Sequence, residues 1–261
     1  MNKEEKFLVS LLEQMKEKYG VLGTKAEFEA EGTRFNELLR LKEITSTAGM
    51  GIALKIGGGE DVWGILQARQ IGVSEIVAPM IESAYALKKF LEAFKKHVPE
   101  DERESVIPVI NVETIQAVIG LNNILEVGVR NGLYGVTVGR VDLVGSMSLQ
   151  RNDINSKVIF DITRDICKIA KMHRLRTAMG GGIESASLPF IKKLLDEDLL
   201  DRFETRKIVF NPKIAIQKFE EAVLNAHRFE LSWLTNKQNY CNEILAEDAD
   251  RIPMLKKRIG E

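Results

Sequence analysis

Apolar side chains recur along this chain with two periods that take turns. Phe7, Leu8, Leu11, Leu12 and Met15 fall on one stripe, which predicts an amphipathic helix over residues 3–18. Residues 24–30 then read as a strand ending in acids, and 33–45 as a helix with Phe35, Leu38 and Leu39 inward. Residues 51–56 form the next apolar run, broken by Gly57, Gly58 and Gly59, and 61–70 return to the helical period. Glu75–Met80 is a strand whose Pro79 suits its end, since proline cannot donate to a central ladder. Leu87, Phe90, Leu91, Phe94 and Val98 give the clearest helical spacing in the chain. Two further runs, 106–112 and 134–138, lead into Glu113 and into Gly139-Arg140-Val141-Asp142. A helix over 156–173, a strand over 176–179 entering Gly180, Gly181 and Gly182, a helix over 187–196 and a last strand over 207–212 complete the pattern.

This alternation predicts a parallel sheet, and its regular repeat predicts an α/β fold of the (β/α)8 TIM-barrel type, with a doubly wound sheet as the alternative. The pattern yields seven strands, so an eighth is either hidden near the N-terminus or missing. Residues 1–212 are expected to form the barrel with its N-terminal helix, and 213–261 a helical extension. In that extension Ile216, Phe219, Val223 and Ala226 share a face, which Phe229, Trp233 and Leu234 prolong beyond the needs of one closing helix. Large apolar surface is seldom left wet, so the extension is expected to pack on a second copy in a homo-oligomer.

Composition narrows the partners. Lys+Arg (37) nearly balance Asp+Glu (38), which removes the basic signature of a nucleic-acid or anionic-membrane binder. No run is apolar enough for a membrane span, and the first residues do not read as a signal peptide. Cys167 and Cys241 lie far apart without metal-like spacing, so the expectation is a soluble cytoplasmic protein.

The chemistry gathers at strand ends. Parallel strands one repeat apart point the same way, so Glu113 and Asp142 are expected on one rim, where two hard oxygen ligands suit Mg²⁺ (or Mn²⁺). Glu27, Glu29, Lys55, Glu82, the glycines 180–182 and Asn211 are expected on the same rim. Each has a plainer reading. Glu113 and Asp142 can cap the helices that follow, as Glu82 can cap the one from Ser83, and Lys55 can be a solvated charge. Arg140 either binds a substrate anion or pairs with a rim carboxylate. His97, His173 and His227 lie in helical patterns away from strand ends and read as surface or packing residues. Neither triple glycine has the Gly-x-Gly-x-x-Gly spacing of a dinucleotide-binding dehydrogenase.

Four segments in order resemble the HpcH/HpaI aldolase/citrate lyase superfamily of metal-dependent carbon–carbon lyases. They are Pro79-Met-Ile-Glu-Ser-Ala84, Val112-Glu113-Thr114 with Ala117-Val118, Gly139-Arg-Val-Asp142-Leu143, and Ala178-Met-Gly-Gly-Gly-Ile183. The resemblance spans about Thr24 to Pro212 and implies a pyruvate/phosphoenolpyruvate-type TIM barrel. It implies Glu113 and Asp142 as ligands of Mg²⁺ or Mn²⁺. The implied reaction is reversible cleavage of a small 2-oxo or hydroxy acid through a metal-stabilised enolate, with Lys55 at the position that grips the substrate carboxylate. Backbone N–H groups at Gly180, Gly181 and Gly182 can bind a carboxylate or oxyanion, since glycine lets the chain approach closely. A coenzyme A thioester as substrate, cleaved at a carbon–carbon bond or hydrolysed, stays open.

Two departures mark the chain as divergent. Lys55 stands where the family carries an arginine, which keeps the charge but loses the bidentate fork. Ala30 follows Glu27-Phe28-Glu29 where the family carries His or Asp, so the usual base is missing. Glu29 is the substitute on which the catalytic reading settles, with Glu31 and a metal-bound water as alternatives. The competing reading is a non-catalytic barrel that binds or scaffolds.

Overall fold

The computed structural model describes residues 1–259. Its strands close into a barrel in chain order: β1 (Val21–Glu27), β2 (Gly51–Lys55), β3 (Glu75–Ala78), β4 (Ile107–Val112), β5 (Gly135–Gly139), β6 (Arg176–Gly180), β7 (Arg202–Glu204) and β8 (Ile208–Phe210). The helices covering them are α1 (Lys3–Tyr19), α2 (Phe35–Thr47), α3 (Val62–Ile71), α4 (Ala84–His97), α5 (Ile115–Ile119), α6 (Leu121–Arg130), α7 (Arg140–Ser146), α8 (Lys157–Met172) and α9 (Leu188–Asp196). Short α10 (Pro212–Ala215) and long α11 (Phe219–Ile259) end the chain. Among the described residues no helix is long and apolar enough to cross a membrane.

The eighth strand is not hidden near the N-terminus. It is β7, whose three residues are too few to display a period. The expected last strand, β8, turns straight back from it and runs antiparallel to both β7 and β1, whereas all other neighbours pair in parallel. The reversal corrects one rim assignment. Asn211 leaves at the opposite end of the barrel, where its side chain caps α10 by accepting the Lys213 N–H at 3.0 Å. Strand β1 also ends at Glu27, so Glu29 and Ala30 lie in the turn beyond it. Leu39 and Val158 stand outside, flanking buried stripes formed by Leu38, Leu41 and Ile44 and by Ile159 and Ile166.

Because only a tight turn joins β7 to β8, the repeat supplies no helix between them, and α11 lies beside β7 and along α1. The two run antiparallel: Tyr19 donates to Glu221 at 3.0 Å at one end, and Asn2 donates to Asn236 at 2.8 Å at the other. Phe219, Ala222, Val223, Ala226, Phe229 and Trp233 are buried in the main core. Of the three residues behind the expected oligomer contact, Phe229 and Trp233 are thus covered by the chain itself, while Leu234 stays 43% exposed.

Ala53, Val77 and Val109, with Ile107 against them, form a small apolar cluster separate from the main core. At the lower end Glu75 is clasped by Arg176, 3.1 Å from its Nη1, and by Arg202. Removing one partner of a buried charge group strands the others. Glu75→Ala should therefore cost about 3–5 kcal/mol, read as a lower urea midpoint at unchanged m.

Glu5 ties α1 to its neighbours, accepting the Asn2 N–H and the Arg40 Nε–H, each at 2.8 Å, and Asn236 Nδ2 at 3.4 Å. Burial raises its pKa, but Arg40 and the Asn2 amide outweigh burial and hold the carboxyl below the usual range. Its stabilisation is therefore complete above the ordinary glutamate range and is lost as pH falls through the depressed value. The stability gap between wild type and Glu5→Gln, measured by urea titration, should be widest near neutrality and close in acid.

Candidate active site

Side chains alternate along β4, so Asn111 and Glu113 emerge on one face. Glu113 is 1% exposed, and both of its oxygens are engaged: Oε2 accepts Asn111 Nδ2 at 2.9 Å and Oε1 accepts the Met80 N–H at 3.0 Å. Met80 reaches this geometry with φ of 52°, a conformation uncommon for a residue with a Cβ. Room for the carboxylate comes from Gly139, where a Cβ would meet Glu113 Oε2 at 2.5 Å. Glu113 is not a helix cap, since Thr114 caps α5 by accepting the Ala117 N–H at 3.2 Å. Ser83 likewise caps α4, leaving Glu82 exposed and uninvolved.

Glu113 and Asp142 line one cavity of about 420 Å³ at the C-terminal ends of the parallel strands, and Asp142, in the first turn of α7, is exposed. Burial pushes the Glu113 carboxyl above the usual range. Lys55, the Met80 amide and Asn111 oppose that rise, and the charge of Asp142 adds to it. Burial thus outweighs the three groups that favour the ionised carboxylate. Among the described residues no group of three or more His, Cys, Asp or Glu forms a closed metal site. The two carboxylates are hard oxygen donors that would suit a hard cation such as Mg²⁺ in an open site.

Lys55 is buried at the end of β2, with Nζ 2.8 Å from Glu29 and 3.7 Å from Glu27. Burial opposes its charge, but Glu29, Glu27 and Glu113 outweigh burial and raise its pKa. Glu27 lies in a chain of charges, 3.1 Å from Lys25, which reaches Glu204 at 3.2 Å. Burial likewise raises Glu27, and Lys25, Lys55 and Arg206 bring it below the usual range. Its Oε2 is buried without a hydrogen-bond partner.

Arg140 departs from expectation. It is wholly buried and turned away from the cavity, donating to the carbonyls of Gly180 at 3.3 Å, Gly181 at 2.7 Å and Ile154 at 3.4 Å and to Asn155 Oδ1 at 2.8 Å. Its guanidinium lies over Phe190, and burial lowers its pKa to about 10. It clamps the glycine turn rather than meeting a substrate. Gly180, Gly181 and Gly182 do line the cavity. Gly181 must be glycine, because at φ of 81° a Cβ would meet the Val141 nitrogen at 2.8 Å.

The cations that line the cavity beyond Lys25 and Lys55 are Arg151 and Arg206, and α11 adds His227 and Glu230. None of these four was expected there. Asn111, Lys25 and Glu204 carried a readable signal, as polar residues within otherwise apolar strands. His227 carried none, because its place depends on how α11 crosses the barrel.

The family model for HpcH/HpaI aldolase/citrate lyase matches residues 33–179. The chain belongs to the HpcH/HpaI aldolase/citrate lyase family. An HpcH/HpaI aldolase from Desulfitobacterium hafniense superposes with a TM-score of 0.61 at 14% identity, covering 76% of this chain and 80% of that one. A family protein from Burkholderia cenocepacia gives 0.60 at 12%, covering 91% and 90%. Citrate synthase SbnG gives 0.62 at 13%, covering 88% and 89%. At such identities the likeness is one of fold. A search of curated proteins returned no match.

Gly139→Ala should displace Glu113 from Met80 and Asn111. An overpacked site of this kind costs about 1–3 kcal/mol. The expected readouts are a lowered melting temperature and a shifted Met80 amide resonance.

Proposed function

We propose that this protein is a divalent-metal-dependent carbon–carbon lyase or aldolase acting on a small 2-oxo or hydroxy acid through an enolate. The observation that carries the reading is the pairing of buried Glu113 with exposed Asp142 on one cavity, which Lys55 also lines. Family membership and the printed name of the neighbouring citrate synthase both point to carbon–carbon bond chemistry on acids.

Glu113 and Asp142 would hold Mg²⁺ or Mn²⁺, and the bound ion would supply Lewis-acid stabilisation of the charge that develops on the substrate's keto oxygen. Lys55, fixed by Glu29 and Glu27, offers a positive charge to the substrate carboxylate. Glu27 Oε2, which accepts no hydrogen bond although Lys55 lies 3.7 Å away, offers an acceptor for a substrate hydroxyl. Arg151, exposed at the cavity, takes the anion-binding part that Arg140 cannot play. The cavity suits a small acid, since its volume lies at the low end for ligand sites and its walls are largely charged.

Calorimetric titration of pyruvate and oxaloacetate, with and without Mg²⁺, tests the reading. Binding should require the ion, and Glu113→Gln and Asp142→Asn should each abolish it at an unchanged melting temperature. Lys55→Ala should weaken the acid's binding at least tenfold, the order expected for a lost charged hydrogen bond, while Mn²⁺ affinity persists. Unaltered Mn²⁺ affinity in both carboxylate variants would contradict the assignment.

A further inference from the structure

An enolising enzyme needs a group that takes a proton from substrate carbon and returns it, and the end of β1 does not offer one. Ala30 lines the cavity and has no proton to exchange. The carboxylates around it are committed: Glu29 to Lys55 at 2.8 Å, Glu27 to Lys25 at 3.1 Å, and Glu31 to Lys207 and, at 3.0 Å, to Arg206. A carboxylate held in an ion pair is a weakened base.

The opposite supply comes from α11. It contributes His227 and Glu230 to the same cavity, and residues three apart share one helical face. The helix is anchored at this level, since Ala226 and Phe229 on either side of His227 are buried in the core. His227 itself is exposed and makes no hydrogen bond or ion pair with the described residues. His97 and His173 do not line the cavity. Imidazole is the side chain most often used for general acid–base work.

We infer that His227 is the proton-transfer group of this site, taking over from α11 the part that Ala30 leaves unfilled; the inference rests on the enolate reading above. An imidazole nitrogen of His227 takes a proton from carbon 3 of a pyruvate-type substrate. The C–H electron pair becomes the bond between carbons 2 and 3, and the keto oxygen takes up the negative charge. In the reverse direction the proton returns to carbon 3. Nothing is oxidised or reduced, and no further reactant enters.

The test is deuterium incorporation at carbon 3 of pyruvate in D₂O with Mg²⁺, followed by proton NMR, alongside calorimetric affinity for pyruvate. His227→Gln should lower the exchange rate by about 10²–10⁴, the usual contribution of a positioned acid–base group, with pyruvate affinity unchanged. His173→Gln should exchange at the wild-type rate. Undiminished exchange in His227→Gln, or affinity lost in step with exchange, would overturn the assignment. Wild-type protein that binds pyruvate but does not exchange it would also overturn it. Wild-type protein that binds no pyruvate, with or without Mg²⁺, would instead overturn the underlying reading of the site.

Discussion

A carboxylate taken out of water at the end of β4 organises the upper rim. Desolvating such a group costs several kcal/mol, so a burial like that of Glu113 is tolerated only where neighbours answer it. The answers come from four separate segments. Met80 accepts an unusual backbone conformation to turn its N–H toward the carboxylate, Asn111 donates from one alternation earlier on the same strand, Gly139 gives up its side chain, and Lys55 supplies charge from β2. These still leave the carboxyl above the usual range, and Asp142 adds a second negative group to the same cavity.

The reversal of β8 sets the other wall. A standard barrel would send a helix from β7 to a parallel β8. Here the tight turn brings Glu204, Thr205 and Arg206 to the cavity and leaves the flank beside β1 uncovered by the repeat. Helix α11 fills that flank with α1, burying Phe229 and Trp233, and carries His227 and Glu230 to the rim. One departure from the regular repeat thus changes both the packing of the C-terminal helix and the chemistry within its reach. The clamp of Arg140 on the glycine turn is a structural counterpart, spending a cation to hold backbone rather than ligand.

Much of this was legible in the chain. Periodicity gave β2 through β6 and helices α3, α4, α8 and α9, because each buries an apolar face long enough to show its spacing, whereas α5, α6 and α7 went unread. The family resemblance rested on short segments at strand ends, where backbone geometry and chemistry restrict residue choice together. What escaped detection depended on tertiary context. Strand β7 is too short to have a period, and the direction of β8 follows from the turn before it rather than from Ile208-Val-Phe210 itself. Arg140 stands beside a rim aspartate in sequence yet points away from the cavity, since the first turn of α7 rotates successive side chains to different sides. Histidine 227 reads as an ordinary helix residue until the path of α11 is known.

The central claim is that Glu113 and Asp142 together hold a divalent ion that a 2-oxo acid completes. Anomalous scattering from crystals soaked in Mn²⁺ and pyruvate addresses it most directly. One manganese peak is expected within about 2.0–2.3 Å of an oxygen from each carboxylate, with the acid's carboxylate and keto oxygens on the same ion. Pyruvate held in the cavity without manganese between Glu113 and Asp142, or manganese bound elsewhere, would contradict it.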